Sequence, residues 1–209
     1  MSIKLNATEG KSFDPMPAGS YPARLYSVIH IGTIESEWQG QITTKDKVRL
    51  GFEFPTETKV FNEEKGEQPY VLSREFTLSI SDKGHLRPFL EGWQGKRMTD
   101  EEAINVDLEE WIGKEGLINV VHTEPNHQGS VYANISSISP LPKGLKCPDP
   151  VNPPFILNYT DKWDQSKFDS LPEFLKEKMM SSHEYEMMTR EKPTTENTTD
   201  SINLDDIVF

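Results

Sequence analysis

The stretch KVRLGFEFP, residues 47–55, predicts the fold of this 209-residue chain. Its apolar residues Val48, Leu50, Phe52 and Phe54 occupy every second position, with polar residues and one glycine between them. Because successive side chains of a strand point to opposite faces, this alternation predicts a β-strand with one buried face. A glycine on the polar side of such a strand further suggests a bulge or a sharp bend.

Further strand patterns lie on both sides of this stretch. In SYPARLYSVIHIG, residues 20–32, we expect Leu25, Ile29 and Ile31 to share one face, opposite a polar face that begins at Arg24. Residues 70–81 form the third strand pattern, in which Phe76 continues the apolar face. The fourth and fifth patterns are residues 116–125 and 129–140, and these two form a predicted hairpin across Asn-His-Gln-Gly.

Between the third and fourth strands the apolar period becomes helical. Residues 83–93 and 99–113 are helix-like, and Thr99 with Glu102 forms the Thr-x-x-Glu pattern of a capping box. Tryptophans in this insert are expected to anchor it to the strands. Five strands with a helix between the third and fourth is the order of the OB-fold, whereas a β-sandwich would need seven or more strands. The predicted fold is therefore an all-β core, a five-stranded OB-fold Greek-key barrel, over residues 20–140.

The composition fits a modest core with polar extensions. Lysine and arginine number 22 against 34 acidic residues, a net charge of -12. The acidity is uneven: residues 20–98 hold 11 basic and 11 acidic residues, while residues 99–124 hold 1 and 8. No apolar run reaches membrane-spanning length and no signal-peptide pattern opens the sequence, so we expect a cytoplasmic protein with no membrane partner. A single cysteine, Cys147, excludes an internal disulfide framework.

An N-terminal extension, residues 1–19, precedes the predicted barrel, and three further segments follow it. Six prolines in residues 140–155 predict an extended arm, assigned to 141–167. Residues 168–188 predict a helix, and residues 189–209 form a polar tail with too few apolar residues to bury. In the predicted helix, the residues expected to share an apolar face are Leu171, Phe174, Leu175 and Met179.

Cations and rings cluster on the polar face of the first three strands and in their loops. Nonspecific binding of single-stranded nucleic acid needs cations along the phosphates and flat rings on which bases stack. The strand-two and strand-three face and the loop between strands one and two form much of an OB-fold ligand groove. The candidate contact residues are Arg24, Tyr26, Trp38, Lys45, Lys47, Arg49, Lys59, Phe61 and Arg74.

The tail and the predicted barrel together resemble a known class. The last six residues, LDDIVF, resemble the acidic tip of bacterial single-stranded DNA-binding proteins, with Val208 where that family has proline. The body resembles the OB-fold single-stranded DNA-binding proteins of tailed bacteriophages such as phage Enc34, which join a barrel to a proline-rich arm and a helix. The resemblance implies a protein that coats single strands during replication, recombination and repair in the cytoplasm of an infected cell. The proline-rich arm and the helix could pack on their own barrel or on a neighbouring copy along the strand. The implied binding site for replication partners is Asp205, Asp206, Ile207 and Phe209.

Two other function classes stay open at this point. One is an OB-fold adaptor that binds protein through Trp38 and its neighbours. The other is a metal-dependent nuclease that uses the acids between Asp100 and Glu110. Phosphate-binding glycine loops, nucleophile elbows and metal-ligand spacings are absent from the sequence, which favours a protein with no catalytic residues, no cofactor and no metal.

Overall fold

A computed structural model of the chain describes residues 14–160 and 163–190, with the side chain of Trp38 left out of the description. It contains six strands and five α-helices among these residues. The strands are β1 (Gly19–Trp38), β2 (Gln41–Asn62), β3 (Gly66–Thr77), β4 (Glu115–His122), β5 (Ala133–Ser139) and β6 (Phe155–Leu157). The helices are α1 (Leu86–Gln94), α2 (Asp100–Ile104), α3 (Gln165–Asp169), α4 (Glu173–Met180) and α5 (His183–Arg190), with a 3₁₀ turn at Glu109–Trp111.

The strands form one mainly antiparallel sheet in the order β3-β2-β1-β4-β5. Strand β1 pairs with β2 along most of its length and with β4 through Gly19–Arg24. Beyond the end of β4, the short strand β6 pairs with β1 in parallel. The predicted β-rich core is confirmed. The sheet is not closed by backbone hydrogen bonds within the described residues, and it contains one more strand than expected.

The opening stretch behaves largely as its alternation predicts. Val48, Leu50, Phe52 and Phe54 are all at most 2% exposed and form the centre of a first core. Gly51 lies on the other face in regular register with β3, so the predicted bulge is not at Gly51 itself. It lies in the facing strand, where the pairing shifts between Leu25 and Ser27.

That bulge separates residues that we expected to share a face. Leu25 packs in the first core, whereas Ile29 and Ile31 pack in a second core on the other side of the sheet. The prediction that these three residues lie together is wrong. One extra residue in a strand exchanges the faces of everything that follows, because side chains alternate with a period of two.

The insert between β3 and β4 covers one side of the first core, as predicted. Trp93 and Trp111 are buried, their rings lie 5.1 Å apart, and Trp93 Nε1 donates to the Glu115 carbonyl at 2.7 Å. The capping box is present at the start of α2, with the side chain of Thr99 accepting from the Glu102 amide and the Glu102 carboxylate accepting in return. The insert therefore holds β4 against the sheet through tryptophan contacts.

The proline-rich arm and the C-terminal helices pack on their own sheet. Glu53 is fully buried and accepts hydrogen bonds from the backbone amides of Val151 and Asn152 at 3.3 and 2.9 Å, and from the Asn152 side chain at 3.0 Å. The second core joins β1 to the helical segment, residues 163–190. Its fully or nearly buried members are Ile29, Ile31, Leu157, Phe168, Leu171, Leu175 and Met179.

The C-terminal segment differs from the prediction in two ways. Three short helices replace the single helix expected over 168–188, because Pro172 begins a new helix and Ser181 ends it. Phe174, expected on the apolar face, is 55% exposed. Leu171, Leu175 and Met179 recur every four residues and suffice for the buried stripe, which leaves Phe174 at its margin.

Arg74 bridges the two strands at the ends of the sheet. Its Nη1 donates to the carbonyls of Ile135 and Ser136 in β5 at 3.1 and 2.9 Å, and its guanidinium lies over the rings of Phe76 and Phe89. One charged side chain thus spans the gap that backbone pairing does not close.

We expect Arg74→Gln to lower the free energy of unfolding by about 2–3 kcal/mol, because hydrogen bonds from a charged donor are lost and two carbonyls lose a partner. Urea denaturation of the purified chain measures this. The matched control is Arg97→Gln, which removes an exposed guanidinium and should change stability by less than about 0.5 kcal/mol. Equal stability of the two variants would show that the bridge contributes nothing.

Candidate nucleic-acid interface

Strand β2 carries a row of cations on the sheet face opposite the first core. Lys45, Lys47 and Arg49 occupy alternate positions of β2. Lys47 and Arg49 pair in regular register with β3, while the pairing with β1 shifts between His30 and Gly32, where β1 carries one extra residue. At about 3.3 Å of rise per residue, their backbone positions are about 6.6 Å apart. Lys45 is exposed, while Lys47 and Arg49 are half-buried. The sequence places Lys47 and Arg49 opposite the apolar face of this strand, and Lys45, expected in the loop before it, lies within β2.

Glu75 lies at the centre of a cationic cluster, which we define as Lys47, Arg49, Glu75 and Lys178. Glu75 is opposite Arg49 in β3, and its carboxylate is 3.1 Å from Arg49 Nη1 and 2.5 Å from Lys178 Nζ of α4. Burial alone would raise the pKa of Glu75, but the hydrogen bond and charge of Lys178, with the charges of Arg49 and Lys47, hold that pKa below its usual range. Three positive charges and one negative charge leave an excess of +2, in a chain whose net charge is -12.

Two aromatic rings border this cluster. The ring of Tyr26 lies beside Gly51, where an added Cβ would be 2.9 Å from Ser27 Cβ and 3.3 Å from Tyr26 Cε1. The glycine thus leaves room for Ser27 and for the Tyr26 ring on this face. Burial raises the pKa of the Tyr26 phenol, as does Glu53, against an opposing effect of Arg49, so the ring stays neutral at physiological pH. Phe174 lies on the other side, with its ring centroid 5.6 Å from Arg49 Cζ.

Two predicted contact residues are engaged elsewhere. Arg24 is 8% exposed, and its Nη2 pairs with Glu115 at 2.6 Å beneath the proline-rich arm. Arg74 projects from the face of β3 that carries Phe76 and bridges to β5, and burial lowers its pKa. Both guanidiniums therefore serve as internal links between strands, and we leave both out of the interface.

Lys59 and Phe61 lie at the far end of β2, in the projecting hairpin with β3. Phe61 is 45% exposed and packs edge-on against Tyr70, while Lys59 pairs with Asp14 at 3.2 Å. Lys47 and Lys59 are separated by twelve positions of one strand, about 40 Å if it is straight. These residues form a second candidate region, and the structure does not bring them into the cationic cluster.

Other predicted contact residues fall outside the description. Trp38 is the last residue of β1, at the tip of the β1–β2 hairpin, and its side chain lies outside the described part of the structure. The predicted partner-binding residues Asp205, Asp206, Ile207 and Phe209 lie outside the described residues, as does most of the predicted tail.

Lys178, Phe174 and Glu75 are the residues of this site that sequence reasoning missed. Lys178 and Glu75 are 103 positions apart, and no local pattern relates them. In the sequence, only Phe174 pointed to this site. It is a phenylalanine at the edge of an apolar helix face that Leu171, Leu175 and Met179 already form without it. Only the docking of α4 on the sheet brings these side chains beside Arg49.

One group of potential metal ligands occurs in the described part of the chain. Ligand atoms of His30, Asp46 and Glu184 lie within 4.8 Å of one another. His30 Nε2 is 2.7 Å from Asp46 Oδ1, and the Glu184 carboxylate accepts from the amide and hydroxyl of Thr33 at 2.6 and 2.7 Å. These contacts join α5 to the β1–β2 hairpin. The acids between residues 100 and 110 form no such group within the described residues.

No family model matches the chain, and no curated protein and no solved structure shows significant similarity to it. In the described residues, no helix is long and apolar enough to cross a membrane.

Proposed function

We propose that this protein is a non-enzymatic, sequence-nonspecific single-stranded DNA-binding protein that coats and protects single strands during phage replication, recombination and repair. The observation that carries the proposal is the alternation of Lys45, Lys47 and Arg49 along β2, with the Tyr26 ring next to Gly51 at the Arg49 end of this row. A row of cations follows a phosphate backbone whatever its bases, and a neutral ring offers a stacking surface to any base. Trp38, Lys59 and Phe61, on the two hairpins, would extend this surface at both ends of β2.

We also propose that the sheet belongs to the OB-fold class. The strand order β3-β2-β1-β4-β5 and the helices between β3 and β4 support this assignment. The side-chain bridge from Arg74 of β3 to β5 supports it too, since these strands are neighbours in a closed five-stranded barrel. In that fold the β2–β3 face is the customary position of a nucleic-acid groove.

Titration of fluorescein-labelled oligo-dT by fluorescence anisotropy, at several salt concentrations, tests the proposed function. The logarithm of the affinity should fall linearly with the logarithm of the salt concentration, by about 0.7 per phosphate contact. Oligo-dA should bind comparably, because stacking tolerates any base. Absence of binding at low salt, or binding that ignores salt, would refute the proposal.

The same samples separate the two other function classes. A protein-binding adaptor would show no affinity for the oligonucleotide, and a metal-dependent nuclease would shorten it when magnesium is added. The acids required by the nuclease hypothesis have structural partners: Asp100 pairs with Arg87, and Glu102 with Lys96 and the Thr99 amide. We therefore expect intact oligonucleotide in both conditions.

The tail carries a prediction of its own. If the carboxylates of residues 191–209 compete with phosphate for the cationic row, their deletion should strengthen oligo-dT binding several-fold at low salt and abolish retention of replication proteins. Truncation after Arg190 keeps α5 whole. In the full chain, changing only Asp205 and Asp206 to asparagine should likewise abolish retention, because both residues belong to the proposed partner-binding tip. Unchanged binding and unchanged retention in the truncated chain would mean that the tail does neither.

A further inference from the structure

The C-terminal helical segment lies along the proposed DNA surface. It can affect DNA binding in two opposite ways. Its helix α4 packs over β1 and reaches β3 through Lys178. It could cover the site and exclude the strand, or it could form one wall of the site. The side chains that α4 directs toward the cationic cluster distinguish these two possibilities.

Those side chains have the chemistry of a binding wall. Phe174 is buried too little to contribute much to the second core, since 55% of it is exposed, yet its ring lies next to Arg49. Lys178 adds a positive charge to the cluster and directs it at Glu75. A helix that mimicked DNA to block the site would be expected to present carboxylates to Arg49 and Lys47. Among the described contacts of Arg49, α4 supplies a ring.

Resting on the proposed function, we infer that α4 is the second wall of the single-strand groove, with Phe174 as a base-stacking residue and Lys178 as a phosphate-contacting residue. Glu75 is the internal counter-ion of this groove. It holds Arg49 and Lys178 in position in the free protein, and an arriving phosphate replaces it as their partner. The groove then has Tyr26 and the β2 row on one side and α4 on the other.

Variants of the full chain test this inference with the labelled oligo-dT. Phe174→Ala should weaken binding by about 5-fold to 150-fold, the effect of losing one stacked base. Phe174→Trp should preserve affinity and Phe174→Leu should not, because only the former keeps an aromatic face. Lys178→Gln should lower the salt slope by about 0.7 and weaken binding by about 8-fold at 0.05 M salt. Glu75→Gln should strengthen binding by up to about 8-fold, as one repelling charge is removed.

Matched controls come from α5. Met187→Ala removes an apolar side chain of comparable exposure, 44%, and Arg190→Gln removes an exposed cation from the same segment. Both should leave the affinity unchanged. Thermal unfolding of every variant checks that the fold is retained. Since Phe174 is 55% exposed and the Lys178 side chain 30% exposed, the melting temperatures should stay close to that of the wild type.

Each outcome has one meaning. If the wild type binds no oligonucleotide, the proposed function itself fails. If the wild type binds and Phe174→Ala and Lys178→Gln match their controls, α4 is not part of the site and this inference alone is wrong. If these two variants bind more tightly than the wild type, α4 obstructs the groove, which overturns the inference in the opposite direction.

Discussion

Replacing Lys45, Lys47 and Arg49 together by glutamine is expected to weaken oligo-dT binding by about 10²-fold to 10³-fold at 0.05 M salt. Each phosphate contact contributes a salt slope of about 0.7, which corresponds to about 8-fold in affinity between 1 M and 0.05 M salt. The loss of three contacts therefore weakens binding roughly 500-fold. The slope of log affinity against log salt concentration should become shallower by about 2. Anisotropy titrations of wild type and variant across that salt range measure both quantities.

The control for this prediction is a second triple variant with the same change of charge. Arg97, Lys143 and Lys146 are exposed and lie outside the sheet. Their replacement by glutamine lowers the net charge equally, so it separates a local groove from a general effect of charge. Equal losses in the two triple variants would contradict the proposed interface. Thermal unfolding of the first variant guards against misfolding, because it also removes the Arg49–Glu75 ion pair.

The second prediction is that Met179→Asp detaches the C-terminal segment from the sheet. Met179 has no exposed surface and lies in the second core with Ile31 and Leu175. An uncompensated carboxylate at such a position costs about 3–5 kcal/mol, more than a short helical segment recovers from its other contacts. The first core shares no residue with the second, so the strands should remain folded.

Hydrogen–deuterium exchange resolves this local unfolding. Amides of α4 and α5 should lose protection in Met179→Asp, while those of β2 and β4 keep it. The adjacent Met180→Asp is the matched control, since Met180 is 41% exposed and its carboxylate would stay in water. Loss of protection throughout the sheet would show that the two cores unfold as one unit, and unchanged exchange in α4 would show that the second core tolerates the charge.

Several elements followed from local pattern alone. The alternation of residues 47–55 predicted the buried face of β2, and the Thr99–Glu102 spacing predicted the start of α2. The Asn-His-Gln-Gly stretch predicted the β4–β5 hairpin, in which Gly129 has a φ of 77°. These features depend on residues within a few positions of one another, so the information for them is contiguous in the chain.

The face of each residue after a bulge was not predictable in this way. Arg24 and Tyr26 are two positions apart and were assigned to one exposed surface, yet Arg24 is buried and only Tyr26 borders the cluster. The bulge depends on how β1 fits against β2, with the Tyr26 ring beside Gly51. Arg74 was likewise assigned to the nucleic-acid surface because of its charge. Its position opposite Leu50 in the β2–β3 pairing instead directs it into the space between β3 and β5.

By itself, the sequence determined the order of the first five strands, the helical insert between β3 and β4, the apolar face of β2 and the place of Lys47 and Arg49 opposite that face, because periodicity and spacing are local properties. Only the tertiary structure decided that the arm and the C-terminal helices pack on their own sheet, and that Lys178 meets Glu75 beside Phe174. These contacts join residues about 100 positions apart. They depend on which buried surfaces fit each other in three dimensions, and a linear pattern of residues contains no measure of that fit.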